Sequence, residues 1–437
     1  MGRAIRRVLA GLVLAAAFAI AVPFLVPVAP FIPELTRFAS EKLGQPVTME
    51  DLTLHLLPTP RIVGHRITVG RRAQVLIGEL EIEPDLRSLV FGPRSIRLIR
   101  AHRVAVDEGA LEIPSGMPKG RPGEPVLVRR LALTAVKLNH SRLDLPIFDV
   151  DVRLGEGFRM REALLQARDG SVRLRAQARG EGTELLFNAT NWTLPAGAPL
   201  HFDQIEVQGT LKGQQLALGR IEAQLYGGKL LGAAQADWGK HWQLTGTAQL
   251  AGIELQPLQR ALGKPTKLSG RLSADATFTT RAKTPAELHA ALAVDGPFEV
   301  HGGVYQGVDL ARAGKGSADG RAGEATNFEE LKGRLALRGE HVKLDALCMR
   351  SPTLVAGGNV EIAADRAVTG KLDISMAQTA GFLGVPVTLG GTTEQVTMSP
   401  SKGYLIGAAI GTVLMPGIGT SIGLALGGRL EGGFGCR

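Results

Sequence analysis

The alternation of apolar and polar residues between positions 328 and 376 constrains the fold of this chain most strongly. From Leu372 to Met376, for example, the apolar residues are separated by Asp373 and Ser375. Successive side chains of a strand point to opposite faces of its sheet, so this period predicts half-buried strands with one apolar face. Glycines such as Gly339 and Gly370 mark turns or bulges between them. Similar stretches upstream predict a mainly β protein.

The apolar face of these strands needs a covering, and the composition restricts what can provide it. Aromatic residues make up only 5% of the chain, whereas dense sandwich cores depend on bulky side chains. We therefore predict an open groove lined by small and branched residues, with two packed sheet layers as the alternative. The groove candidates, chosen by alternation alone, are Leu335, Leu337, Val342, Leu344, Val360, Ile362, Leu372, Ile374 and Met376.

The N-terminal segment has the pattern of a membrane anchor. Arg3, Arg6 and Arg7 precede an uncharged run at residues 8–33, which exceeds the roughly 20 apolar residues that span a bilayer. Because positive charge stays on the cytoplasmic side, the remainder of the chain is predicted to be translocated. A cleaved signal peptide is the alternative, since Ala19-Ile20-Ala21 resembles a cleavage site. We favour the uncleaved anchor.

Short helices and linkers divide the predicted strands. Residues 31–43 are predicted to form an amphipathic helix that ends at Gly44, and residues 255–262 a second helix that ends at Gly263. Thr284-Pro285-Ala286-Glu287 has the pattern of a capping box. Strands are predicted at 62–69, 75–82, 96–99, 104–106 and 172–178, among others. The predicted segments are 1–30 (cytoplasmic tip and anchor), 31–112, 113–250, 251–400 and 401–437.

The C-terminal segment is apolar and rich in regularly spaced glycines. Small residues at every fourth position let helices approach closely in an apolar setting. We predict a glycine-zipped helical hairpin that dips into a membrane or closes the end of the sheet, with a hairpin buried in a soluble core as the alternative. The glycines predicted to pack the helices are Gly403, Gly407, Gly411, Gly419, Gly423 and Gly427.

The distribution of charge and the lack of catalytic motifs restrict the functions that the sequence supports. The formal charge is +9, but basic residues are dispersed with few aromatics nearby, which favours an anionic membrane surface over nucleic acid. The sequence contains no zinc-protease, nucleophile-elbow or phosphate-loop motif, and its histidines are scattered singly. We therefore expect no catalytic site, metal or cofactor. Cys348 and Cys436 can pair in an oxidising compartment, but single buried thiols are the favoured interpretation.

Several short motifs, taken in order, resemble those of the AsmA family, the AsmA/TamB-like proteins of the Gram-negative envelope. The first group is Gly44-Gln45-Pro46-Val47, followed by residues 52–54, 57–60 and 80–86. The second group begins with Leu268-Ser269-Gly270 in the segment 268–272 and continues at residues 284–288 and 302–310. The third group is residues 326–333, followed by residues 351–352 and 357–362. Between roughly 126 and 250 only the strand pattern agrees.

The resemblance implies a single-pass protein of the inner membrane with a cytoplasmic N-terminus and a periplasmic β structure. The sheet is expected to be elongated, curved and antiparallel, with an apolar groove that carries phospholipid during outer-membrane biogenesis. An alternative is a scaffold that assists outer-membrane or other envelope proteins by direct contact and carries no lipid.

Overall fold

The structure is a computed structural model that describes residues 32–71, 74–90, 95–108, 127–139, 145–156, 159–195, 197–307, 309–310, 325–376, 385–401 and 436. The predicted anchor and all six zipper glycines lie outside these residues. None of the helices within the described ranges is long and apolar enough to cross a membrane. The chain divides into two compact units, residues 1–190 and 191–437, which we describe separately. The five segments defined from sequence stay a prediction.

The helices are short, and the two that are predicted to end at Gly44 and Gly263 lie where the sequence predicts them. Helix α1 spans Ile32–Leu43, α2 spans Leu86–Val90, α3 spans Leu255–Ala261, and a 3-10 turn spans Pro285–Glu287. At this turn Glu287 accepts a hydrogen bond from the Lys283 amide at 3.3 Å, while Thr284 provides no side-chain cap. The predicted capping box is therefore not formed, since Glu287 accepts from the amide of Lys283 rather than from that of Thr284. Leu35 and Phe38 of α1 are exposed.

Unit 1 is built from short strands. They are β1 (Val47–Thr48), β2 (Asp51–His55), β3 (Arg61–Val69), β4 (Val75–Pro84), β5 (Ser95–Asp107), β6 (Leu127–Val128), β7 (Arg130–Asn139), β8 (Phe148–Leu154), β9 (Met160–Ala167), β10 (Val172–Arg179) and β11 (Gly182–Thr193). The boundary between the two units lies within β11.

Two features of unit 1 correct the sequence-based expectation. Strand β5 pairs in parallel with β6 and β7, so the sheet is antiparallel-rich rather than wholly antiparallel. The period of two that identifies a strand carries no information about its direction. In addition, the strands expected at 96–99 and 104–106 are one continuous β5, in which Arg103 adopts a φ of 53°.

The pairing registers of unit 1 align apolar side chains across neighbouring strands. Leu80 pairs with Ala101, and each subsequent partner in the row is apolar. The row continues through Leu133, Val150, Leu165, Leu174 and Phe187. Because directly paired residues share a face, unit 1 has one apolar face.

Unit 2 is an antiparallel meander in which each strand from β12 to β23 pairs with the next. The strands are β12 (His201–Lys212), β13 (Gln215–Leu225), β14 (Gly228–Asp237), β15 (Trp242–Glu254), β16 (Arg271–Ala282), β17 (Ala293–Gln306), β18 (Ala325–Arg338), β19 (His341–Arg350), β20 (Leu354–Ile362), β21 (Val368–Met376), β22 (Val385–Gly391) and β23 (Val396–Pro400).

The sheet of unit 2 is bent, and irregular pairing provides the bend. Register shifts interrupt β18 between Lys332 and Arg334, and β19 between Leu344 and Leu347. Such bulges increase the local twist of a strand. At Gly296 a Cβ atom would lie 1.9 Å from the carbonyl oxygen of Asp275, so neighbouring strands approach too closely for any other residue.

The bend brings distant parts of unit 2 together. Lys267, just before β16, places its Nζ atom 2.9 Å from the Thr393 carbonyl oxygen and 2.8 Å from that of Glu394, in the turn between β22 and β23. Thr393 and Glu394 lie 126 and 127 positions after Lys267 in the sequence. The sheet from β16 to β23 therefore curls until its two ends meet.

Candidate functional site

All nine groove candidates lie on one face of unit 2. Leu337, Val342 and Ile362 occupy successive positions of one cross-strand row, which starts at Val294 and ends at Val368. A second row runs through Leu335, Leu344 and Val360, between Gly296 and Gly370. Leu372, Ile374 and Met376 alternate along β21 on this same face.

The opposite face of the same strands is charged. Arg334 forms an ion pair with Asp295, Lys343 forms one with Asp345 at 3.0 Å, and Arg350 forms one with Glu330 at 3.6 Å. A cross-strand row on this face consists of Arg271, His301, Glu330 and Arg350. A hydrogen bond with Glu299, reinforced by nearby positive charges, lowers the pKa of the Glu330 carboxyl. The sheet is therefore amphipathic, with its charged face suited to water.

One part of the apolar face is a closed core. Ile374 is 0% exposed, Leu354 and Val300 are 1% exposed, and Leu255 of α3 packs against them. Leu372, Met376 and Val360 pack against this cluster without being fully buried. Four of the nine candidates thus belong to, or border, the core that the curled sheet encloses. Ile374 in particular is packed by protein on all sides and is not open to a ligand in this structure.

The remaining five candidates differ from the core residues in their burial. We call Leu335, Leu337, Val342, Leu344 and Ile362 the open patch. Each is half-buried, and none belongs to the buried cluster. Branched apolar side chains that keep contact with solvent on a two-row surface can bind a flexible hydrocarbon, because burying them further removes apolar area from water.

Several apolar residues that were not predicted as groove candidates share this face. Val294 and Phe298 of β17 extend the rows, and Leu347 and Val368 continue them on β19 and β21. In β17 the alternation is interrupted by Gly296 and Pro297, which hides the period. In β19 the bulge after Leu344 shifts the apolar positions from even to odd numbers, so a strict period of two fails there.

The two cysteines are joined, which corrects the expectation of single thiols. Cys348 and Cys436 form a disulfide with their Cα atoms 5.3 Å apart, although 88 residues separate them in sequence. Cys348 alternates with Leu347 and Met349 and pairs with Lys332 and Gly357. Its side chain therefore lies on the face opposite the open patch, and the bond fixes position 436 to that side of β19.

Near this bond one oxygen of a carboxylate is buried. Asp373 pairs with Gly357 and Pro386, and its Oδ1 atom is buried with no hydrogen-bond partner within the described ranges. This desolvation raises the pKa of the Asp373 carboxyl above its ordinary value of 3.8. The folded protein therefore binds this proton more tightly than the unfolded chain does.

Asp373→Asn is expected to alter how stability depends on pH. In the native protein this group stabilises the fold below pH 3.8, and that contribution is lost as pH rises through the raised pKa. The variant should lack this loss, so its unfolding free energy relative to the native protein should be higher at pH 7 than at pH 4. Urea unfolding at both pH values measures the difference, with exposed Asp275→Asn as control. Identical pH dependence in the native protein and Asp373→Asn would contradict this account.

The described part contains no cluster of three or more side chains that could hold a metal ion. Two aromatic pairs stack in unit 2, Trp192 with Phe202 and Trp238 with Trp242, at centroid distances of 6.0 and 5.7 Å.

Comparison with known proteins gives one positive finding. The family model described as the AsmA family matches residues 169–341, which contain β10 to β18 and two residues of the open patch, Leu335 and Leu337. The match includes part of the central region in which only the strand pattern had agreed, whereas the N-terminal motifs lie outside it. No curated protein and no solved structure matches the chain. The chain therefore carries an AsmA-family segment over residues 169–341, and the family relationship predicted from the sequence is confirmed there.

Proposed function

We propose that this chain is a periplasmic protein, anchored in the inner membrane, whose apolar β face shelters phospholipid acyl chains during transport and outer-membrane biogenesis. The observation that carries the proposal is the open patch: five half-buried aliphatic residues in two adjacent rows, on a sheet whose other face is charged. The AsmA-family match over 169–341 supports a role in the cell envelope. The proposal assigns no catalytic step, no cofactor and no nucleic-acid partner.

An acyl chain is a suitable covering for the open patch. Each buried methylene contributes about 0.8 kcal/mol, so an acyl chain lying along the rows gains substantially from contact with Leu335, Leu344 and their neighbours. Aliphatic rows without directional polar groups favour a flexible, featureless ligand over one that must be oriented by hydrogen bonds. A phospholipid headgroup would remain at the solvated margin.

The proposed location rests on two independent features. Arg3, Arg6 and Arg7 before the uncharged run at 8–33 favour an anchor with the bulk of the chain translocated. The Cys348–Cys436 disulfide favours an oxidising compartment, because cytosolic thiols are kept reduced. Together they support the periplasmic side of the inner membrane.

A second candidate function is a lipid-free scaffold for outer-membrane or other envelope proteins. Within the described ranges β23 pairs only with β22, and such an edge can accept a strand from another protein. This hypothesis predicts a stable protein partner and no bound lipid.

Photocrosslinking at adjacent residues separates the two functions. Leu344 lies in the open patch, whereas its neighbour Lys343 is exposed on the charged face. With benzoylphenylalanine at position 344 in the full chain in cells, irradiation is expected to give a phospholipid adduct detected by mass spectrometry. Position 343 is expected to give none. Equal lipid labelling at both positions, or protein adducts alone at 344, would reject the lipid function.

A further inference from the structure

We propose that unit 2 contacts the surface of an anionic phospholipid bilayer through the end of its sheet at which β12 to β16 turn, called here the tryptophan end. It is defined by Lys212, Trp238, Lys240, Trp242, Arg281 and Lys283. This inference rests on the proposed function, because it identifies where a lipid would pass between the bilayer and the open patch.

The pairing registers bring these residues to one edge of the sheet. Lys212 pairs with Gln215 across the first turn, and the Trp238 amide donates a hydrogen bond to the Gln214 carbonyl oxygen at 3.1 Å. Trp242 pairs with Ala282, whose neighbours are Arg281 and Lys283. Adjacent strands are about 4.8 Å apart, so the turns form one continuous strip.

The tryptophan pair has the chemistry of a bilayer interface. The rings of Trp238 and Trp242 stack with centroids 5.7 Å apart and an interplanar angle of 21°, and both residues are half-buried. Trp242 alternates with Leu244 and therefore lies on the apolar face. Tryptophan combines a large apolar ring with one polar N–H, and it is enriched at the level of lipid headgroups for that reason.

The charges around the pair match an anionic surface. Lys212, Lys240, Arg281 and Lys283 are exposed, and none forms an ion pair with a described residue. The acidic residues in the same turns are Asp237 and Glu287, which leaves two positive charges in excess. Asp237 already accepts hydrogen bonds from the Gly239 amide and the Gln215 side chain, both at 2.9 Å. The lysine and arginine groups are therefore available to lipid phosphates.

The position of the strip agrees with a path for lipid. The closed core with Leu255 and Ile374 occupies the other end of the apolar face, whereas Leu337 and Val342 of the open patch flank the β18–β19 turn. That turn lies at the same end of the sheet as the tryptophans, since the Gly339 amide donates a hydrogen bond to the carbonyl oxygen of Leu292, just before β17. An acyl chain leaving a bilayer at the tryptophan end would thus meet the open patch before the core.

Fluorescence tests the contact directly, because the chain has only three tryptophans. The full chain is placed in unlabelled proteoliposomes and mixed with separate vesicles of brominated phosphatidylglycerol and phosphatidylcholine. Two variants are compared. The Trp192→Phe variant keeps only the tryptophan pair at positions 238 and 242. The double variant Trp238→Phe/Trp242→Phe keeps only Trp192, which stacks on Phe202. We expect at least twofold greater quenching for the first protein. Lys240→Glu/Lys283→Glu should reduce its quenching severalfold, as should vesicles of phosphatidylcholine alone.

A further variant separates bilayer contact from lipid already carried by the protein. Leu344→Asp, added to Trp192→Phe, disrupts the open patch but not the tryptophan end, so quenching should persist. Equal quenching of Trp192 and the pair would overturn the inference. Quenching that disappears with Leu344→Asp would also overturn it, while leaving the proposed function intact. Quenching that persists while position 344 yields no lipid adduct would support the contact and reject the lipid-carrying function.

Discussion

Replacing Ile374 with aspartate is expected to unfold unit 2 rather than to block a ligand selectively. The side chain is 0% exposed and packs within the cluster that includes Leu354 and Val385. A carboxylate there loses its hydration without gaining a partner, and the isoleucine contacts are lost as well. Penalties of this kind exceed about 4 kcal/mol, which is a large share of the stability of a typical domain. Chemical denaturation followed by circular dichroism measures the loss.

A matched substitution isolates the cause. Ile374→Val removes one methylene without adding charge and should cost about 1 kcal/mol. If Ile374→Asp instead retained the unfolding midpoint of the native protein while losing bound lipid, Ile374 would line the groove and the enclosed core would be misassigned. The sequence pattern alone gave Ile374 the same status as Leu344, and only their burial distinguishes them.

The sequence predicts those features that depend on near neighbours. Alternation identified β18 from Leu335 and Leu337, and the glycine at position 263 located the end of α3. Both signals arise within a few residues, because side-chain direction and helix termination are local properties. The common face of the nine candidates follows from their registers, which short turns such as that at Gly339 fix.

Features that depend on distant contacts were not predictable in this way. The burial of Ile374 depends on the curl that brings Lys267 to Glu394, 127 residues away. The pairing of Cys348 with Cys436 depends on the route of the chain across 88 residues. The parallel alignment of β5 with β7 pairs residues far apart in sequence, such as Ile99 and Leu131. No local period records any of these, since each depends on contacts between residues that are far apart in sequence.

Replacing Leu344 with aspartate is expected to remove bound lipid while leaving the fold intact. Leu344 is half-buried between Leu335 and Val360, outside the closed core, so the carboxylate can reach solvent in the lipid-free protein. In contact with an acyl chain the same carboxylate costs about 2.5–3.5 kcal/mol. At 1.4 kcal/mol per factor of ten, affinity should fall roughly a hundredfold. Leu335→Asp, on the adjacent strand of the same row, should act alike.

The control for this loss is the neighbouring residue. Lys343 is exposed on the charged face and pairs with Ala336 and Glu361. Lys343→Asp introduces the same side chain one position away but on the other side of the sheet. It should leave lipid binding unchanged, and circular dichroism should show native secondary structure in both variants.

The most direct test of the lipid-sheltering face is the molar ratio of phospholipid to protein after purification of the full chain in mild detergent, measured by extraction and mass spectrometry. The account predicts near-stoichiometric phospholipid in the native protein and in Lys343→Asp, and at least a tenfold lower ratio in folded Leu344→Asp. A native protein that is folded and lipid-free, or the same ratio in Leu344→Asp and Lys343→Asp, would contradict it.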